Sequence, residues 1–285
     1  MSHVGAEVRL IDVDPATYNV DPKMIPSDLD GLVAVHYAGL PMDLSGLRYR
    51  PRIVIEDAAH ALGARTGDGP VGNCAHSDMT AFSFHPLKSI TSGEGGAVTT
   101  NSEVLVARLR RFRNHGFSRI PSSRISAFQA IDPGFNLRMS ELHAALGRSQ
   151  LRRIDSFLSK RRLLAERYDK LLIDSLAIRP PKGGPSSTHA RHIYPVLVDK
   201  RDAVVEAMRD AGIGVQIHYV PMSVHSAYFS PQLDQQPTAA RISFSTMSLP
   251  LFAELTFDDQ DRVIAELNRS LGPPTPIGSP QTRFR

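Results

Sequence analysis

The stretch Ala81-Phe-Ser-Phe-His-Pro-Leu-Lys-Ser-Ile-Thr-Ser-Gly-Glu-Gly-Gly96 sets one lysine, Lys88, among small, aromatic and hydroxyl-bearing side chains. An amine desolvated beside apolar groups loses affinity for its proton, and a neutral lysine is a nucleophile able to form a Schiff base. The opposing reading is a surface lysine with its ammonium in water, the ordinary situation of this residue. Met79 to Phe84 reads as a strand and Gly96 to Thr100 as another, so Lys88 falls in the connection between two strands.

Upstream, Val8 to Val13 reads as a short buried strand broken by Asp14-Pro15. Leu32 to Tyr37 and Arg52 to Glu56 are β-branched runs followed by turn or helix-start residues, the pattern of a parallel sheet whose loops gather at the strand C-termini. Glu103 to Arg113 has helical periodicity, and Ser140 to Leu172 carries apolar residues at helical spacing over one long or two abutting helices. Beyond a loop at 180–185 the pattern predicts a strand (His192 to Val198), a helix (Arg201 to Ala211), a strand (Gly214 to Tyr219) and a helix (Thr256 to Leu271). The expected architecture is α/β. A large domain over 1–155 has a mixed, mostly parallel sheet, a small α+β domain over 156–271 is entered through a long helix, and the Pro/Gly-rich tail 272–285 is disordered.

With 285 residues, 41% hydrophobic and 22% charged, the chain has the make-up of a globular protein with ample core. A net charge of +4 with dispersed arginines does not indicate nucleic acid, and the basic runs Arg108 to Arg113 and Ser159-Lys-Arg-Arg162 read as solvated helix faces. Cys74 is the single cysteine, which excludes an intrachain disulfide and fits a cytoplasmic location. No run is apolar and long enough to span a membrane. His189 and His192 lack a nearby third ligand, so no metal is expected, and Gly93-Glu-Gly-Gly96 lacks the lysine of a phosphate-binding P-loop.

Glu56-Asp57-Ala-Ala-His60-Ala-Leu-Gly-Ala64 follows a buried strand, which sets Asp57 at a strand C-terminus with His60 three residues on. A helix cap at Asp57 with His60 packed beneath it explains these two residues alone. Lys88 in the same chain favours more. A Schiff-base amine and a buried carboxylate able to keep a pyridinium nitrogen protonated are the two protein parts that pyridoxal phosphate requires. Ser83 and the hydroxyls and glycines of Ser89 to Gly96 offer donors for the cofactor phosphate.

These segments, with Phe112-Arg-Asn-His-Gly116 and Gly134-Phe-Asn-Leu-Arg-Met-Ser-Glu141 in this order, resemble the DegT/DnrJ/EryC1/StrS sugar aminotransferases. The resemblance implies the fold-type-I pyridoxal phosphate architecture and transfer of an amino group from glutamate, which leaves as 2-oxoglutarate, onto a keto sugar linked to a nucleotide. It implies that Lys88 bonds the cofactor and then shuttles protons, that Asp57 pairs with the pyridinium nitrogen, that His60 stands beside the ring hydroxyl and that Ser83 binds the phosphate. Asn136 matches an asparagine that reaches the phosphate of the neighbouring subunit's cofactor, which implies a homodimer with shared active sites. His85 and His218 are candidate substrate contacts. His36-Tyr-Ala-Gly-Leu-Pro41 and Gly214-Val-Gln-Ile-His-Tyr219 look most like members acting on UDP-linked 4-keto-6-deoxy amino sugars, as in the pseudaminic acid pathway, or on the UDP-4-keto-pentose of lipid A modification.

The resemblance also implies a truncated N-terminus. Family members open with a block that supplies a helix, a Gly-Thr or Gly-Ser turn for the phosphate and an aromatic residue stacked on the ring, and the match here begins near Gly5. The connections 24–31 and 44–52 are short, so a helix on the sheet face is expected to be missing. The alternative function is a catalytically inactive or regulatory relative that lacks that half of the cofactor site.

Overall fold

The computed structural model describes residues 2–120, 127–184, 187–225 and 235–272. The expected disordered tail lies outside the described residues from 273 onward, as does Pro185 of the predicted loop. The chain divides into two compact units: Asn19–Ser159 with Lys182–His192, and Met1–Tyr18 with Lys160–Pro181 and Ile193–Arg285.

In the first unit, strands β1 (Gly31–Val35) and β2 (Ile53–Asp57) pair in parallel, and β2 pairs in parallel with β5 (Met79–Ser83). Between them lies a small antiparallel ribbon, β3 (Arg65–Thr66) and β4 (Gly69–Pro70). Strand β6 (Gly96–Thr99) returns antiparallel to β5, giving the order β1-β2-β5-β6. The sheet is therefore mixed and mostly parallel, as the strand patterns predict. Alternation sets its faces: Leu32, Ala34 and Val54 are buried, whereas Val33, Val35, Ile53 and Val98 on the other face are exposed. Only 3-10 turns, Tyr37–Gly39 and Leu44–Gly46, lie between β1 and β2, so that connection contributes no helix to cover the bare face.

Helix α1 (Glu103–Arg113) starts at Ser102, whose Oγ accepts the Leu105 N–H at 3.3 Å, and the hairpin β7 (Phe117–Arg119) with β8 (Phe128–Ala130) follows. Residues 140–172 form two helices, α2 (Glu141–Leu151) and α3 (Ile154–Leu171). Leu158 of α3 packs among Ala58, Ala61, Ala64 and Ala190.

The second unit is built on antiparallel β9 (Tyr194–Leu197) and β10 (Thr246–Leu249), with α4 (Arg201–Asp210), α5 (Pro237–Ser245) and α6 (Phe257–Leu271). Helix α6 buries Gln260, Val263, Ile264 and Leu267, one face at i, i+3, i+4 and i+7, and begins with a capping box between Thr256 and Asp259. Its core is filled by Tyr168, Tyr194, Met208, Met247 and Leu267.

Two predicted strands are corrected. Val8 to Val13 is irregular, because its polar groups go to a helix end: Asp12 accepts the Thr238 and Ala239 N–H groups at 3.0 and 2.8 Å, capping α5. Gly214 to Tyr219 makes a single bridge, Gln216 to Ser248, in place of a ladder. The partner of β9 is β10, a segment without clean alternation of polar and apolar residues.

Candidate active site

Asp57 is the last residue of β2 and stands opposite Ala81 of β5. Residues two apart on a strand share a face, so Ser83 and Asp57 project from the same side of the sheet, the side of exposed Val33 and Val35. Both lie at the C-terminal ends of parallel strands, where an open α/β sheet binds its ligands. The Asp57 Oδ1 accepts the Ala59 N–H at 3.1 Å, which aligns the carboxylate. No helix follows it. Ala58 and Ala61 open two successive turns, and Gly63 has φ +80° with its α-carbon against Leu158, where a β-carbon would lie 2.2 Å from the Leu158 Cδ1.

Lys88 lies in the loop from β5 to β6. Phe84 N–H donates to Gly95 O at 2.9 Å, and Phe84 O in turn accepts the Ser92 N–H at 3.0 Å and the Thr91 hydroxyl at 3.1 Å. The Ser92 hydroxyl is fully buried and donates to Glu94 O at 2.8 Å. Helix α2 and its approach stand against this loop, since β-carbons on Gly93, Gly95 and Gly147 would meet His143, Met139 and Ser92 respectively. Burial of the half-buried Lys88 amine lowers its pKa below the ordinary lysine value, and the negative charge of Asp57 opposes that shift. The Ser83 Oγ accepts the His85 N–H at 3.3 Å, which leaves the hydroxyl proton for another acceptor. His85 is exposed and its Nδ1 accepts the Leu87 N–H at 3.2 Å.

The His60 ring packs against His192, ring centroids 4.4 Å apart. His192 arrives on the returning segment Lys182–His192, pinned to the turn after β1 by Ala190 N–H to Gly39 O at 2.9 Å and His192 N–H to Ala38 O at 3.0 Å. Gly39 has φ +94°, and a β-carbon there would lie 2.7 Å from His60 O. Among the described residues no three His, Cys, Asp or Glu side chains form a group that could hold a metal ion.

Asn136 is exposed. Its Oδ1 accepts from Arg138 Nε at 3.0 Å, and its backbone bridges Asn114. The two motif segments around it are one packed feature: His115 N–H donates to Phe135 O at 2.9 Å, Phe112 and Phe135 meet edge to face at 5.1 Å, and a β-carbon on Gly116 would strike Asp132 O. His218 belongs to the other unit, with its Nδ1 2.8 Å from the Ser248 Oγ. Thus Asp57, Ser83 and Lys88 come together at the strand ends with His60 on the adjoining turn, while Asn136 and His218 have their hydrogen-bond partners elsewhere.

Sequence patterns did not show that His36 and Glu56 meet behind Asp57. On the opposite sheet face, the fully buried His36 holds Glu56 through Nε2 to Oε2 at 2.8 Å, and the Glu56 Oε1 accepts the Ser77 and Thr80 hydroxyls at 2.5 and 2.8 Å. His36-Tyr-Ala-Gly, which resembles a stretch of the UDP-sugar members, therefore contributes a buried histidine bonded within the sheet. Burial tends to raise the Glu56 carboxyl, but its hydrogen bonds from His36, Ser77 and Thr80 prevail and hold it below the ordinary glutamate value.

The DegT/DnrJ/EryC1/StrS aminotransferase family model matches residues 1–268. The spore coat polysaccharide biosynthesis protein SpsC of Bacillus subtilis is 31% identical in an alignment covering 92% of this chain and 73% of SpsC. Among solved structures, the sugar aminotransferase CalS13 of Micromonospora echinospora is 30% identical with a TM-score of 0.84, covering 94% of this chain and 76% of that one. PseC of Helicobacter pylori, an aminotransferase involved in the biosynthesis of pseudoaminic acid, is 25% identical with a TM-score of 0.85, covering 95% and 75%. With a family match over nearly its whole length and the fold of these enzymes, this chain belongs to the DegT/DnrJ/EryC1/StrS aminotransferases, a fold-type-I family that uses pyridoxal phosphate.

Proposed function

We propose that the chain transfers an amino group from glutamate to a keto sugar carried on a nucleotide, with Lys88 as the catalytic residue. The observation that carries this reading is the grouping of Asp57, Ser83 and a partly desolvated Lys88 at the C-terminal ends of β2 and β5. The biosynthetic roles of SpsC and PseC support a sugar acceptor.

These residues fit pyridoxal phosphate. Asp57 and Ser83 share a face, one offering an anion and the other a hydroxyl proton, and the lysine that feels the Asp57 charge is partly desolvated. When bound, the cofactor supplies a carbonyl carbon to carry the amino group and a ring that accepts electrons from the substrate carbon. Lys88 would hold the cofactor through its amine and would carry a proton between carbons as general base and then general acid. Asp57 keeps a proton on the ring nitrogen, His60 holds the ring hydroxyl side, and Ser83 donates to the phosphate. His85, on the Lys88 loop, is assigned to the sugar substrate.

The active unit is a homodimer, in which Asn136 reaches the partner's cofactor phosphate. The reading is supported by the apolar side chains exposed in the sequence flanking Asn136, with Phe128 at 61%, Phe135 and Leu137 at 59% and Leu142 at 83%. The deciding assay supplies glutamate with UDP- and dTDP-linked 4-keto sugars and measures 2-oxoglutarate. Product with at least one sugar, lost in Lys88→Ala, supports the function; no product across the panel overturns it.

A further inference from the structure

Glu56 is 8% exposed, and its carboxylate accepts from His36, Ser77 and Thr80. The His36 Nδ1 accepts the Met42 N–H at 2.9 Å, so Nε2 is the ring nitrogen that donates to Glu56. A buried histidine–carboxylate pair is a costly way to fill space, and an apolar pair of similar volume holds a fold as well or better. What an apolar pair cannot supply is direction. His36 grips the last two residues of β2, since its side chain binds the Glu56 carboxylate while its own N–H donates to Asp57 O at 3.1 Å. Ser77 and Thr80 tie the same carboxylate toward β5, so the strand end is fixed from both neighbouring sides.

We propose that the buried His36–Glu56 pair is a positioning device for Asp57: it acts from the far face of the sheet to fix the end of β2, and thereby the direction in which Asp57 meets the cofactor ring. The proposal rests on the assignment of Asp57 to the ring nitrogen. Neither His36 nor Glu56 touches the cofactor, so their effect must pass through Asp57.

The test is a double-mutant cycle on the full-length apo-protein, read as its dissociation constant for pyridoxal phosphate, with thermal unfolding recorded alongside. The pair variant His36→Leu/Glu56→Leu is expected to unfold within a few degrees of the parent and to bind the cofactor at least tenfold more weakly. Added to Asp57→Asn, the same two changes are expected to alter affinity less than twofold. If the pair variant does not fold, Glu56→Gln replaces it, since an amide can turn its oxygen to His36 and its NH2 to the Ser77 and Thr80 hydroxyl oxygens; a weaker loss, again confined to the Asp57 background, is expected. An equal loss in both backgrounds, or none in either, overturns the proposal. Unchanged affinity in Asp57→Asn alone overturns the assignment of Asp57, and the positioning role falls with it.

Discussion

Replacing Gly96 by alanine tests whether the Lys88 loop is held as described. A β-carbon on Gly96 would lie 2.5 Å from the carbonyl oxygen of Phe82, a backbone atom of β5 that cannot swing aside. Strand β6 must therefore move off β5 where Gly96 pairs with Ser83, and the Phe84 N–H to Gly95 O bond of 2.9 Å lies at the same point. Loss of that bond and of one ladder bond, each contributing about 1 kcal/mol net, amounts to about 2 kcal/mol. At a urea dependence of about 2 kcal/mol per molar, the unfolding midpoint falls by about 1 M. Gly214→Ala is the control, since a β-carbon there meets nothing within 4 Å, and its effect should stay within about 0.5 kcal/mol. Because Ser83 and the Lys88 loop move with β6, affinity for pyridoxal phosphate should fall together with the midpoint. A Gly96→Ala protein with the parent's midpoint and cofactor affinity would refute the claim that close approach of two backbones requires glycine here.

Ser83→Ala removes a hydroxyl assigned to the phosphate. Hydrogen bonds to charged groups are worth about 1.5–3 kcal/mol, so cofactor affinity should drop by roughly 10- to 100-fold in an equilibrium titration, with thermal unfolding of the apo-protein little changed. Glu56 sets a pH dependence of stability. Its folded pKa lies below the ordinary 4.5, so its contribution is fully present above pH 4.5 and is lost as pH falls through the depressed folded value. Urea melts across that window should show the parent losing stability more steeply than Glu56→Gln, and parallel curves would contradict the sign. In the second unit, Leu267→Ala in the buried face of α6 should cost about 2–5 kcal/mol by denaturant unfolding.

Where one element's own pattern decides its structure, the sequence was readable. The heptad-like face of α6, the serine before α1 and the run leading into Asp57 each carry their instruction locally. Val8 to Val13 misled because alternation says nothing about whether a neighbouring strand exists, and the Asp12 carboxylate found a helix end 226 residues away instead. The same limit hid the site's surroundings. No local signal announces that His192 returns to pack on His60, or that His36 and Glu56 join across two strands. The positions of Asp57, Ser83 and Lys88 at strand ends were legible because each follows its own strand run, whereas the pairing of β2 with β5 and the residues that surround them come from distant parts of the chain.

The central claim is that Lys88 is the amine that captures pyridoxal phosphate. Incubating the protein with equimolar pyridoxal phosphate, reducing with borohydride and mapping the adduct by peptide mass spectrometry tests it directly. The account predicts one label per chain, on Lys88, abolished in Lys88→Ala. Labelling spread over exposed lysines such as Lys200, or none at Lys88, would contradict it.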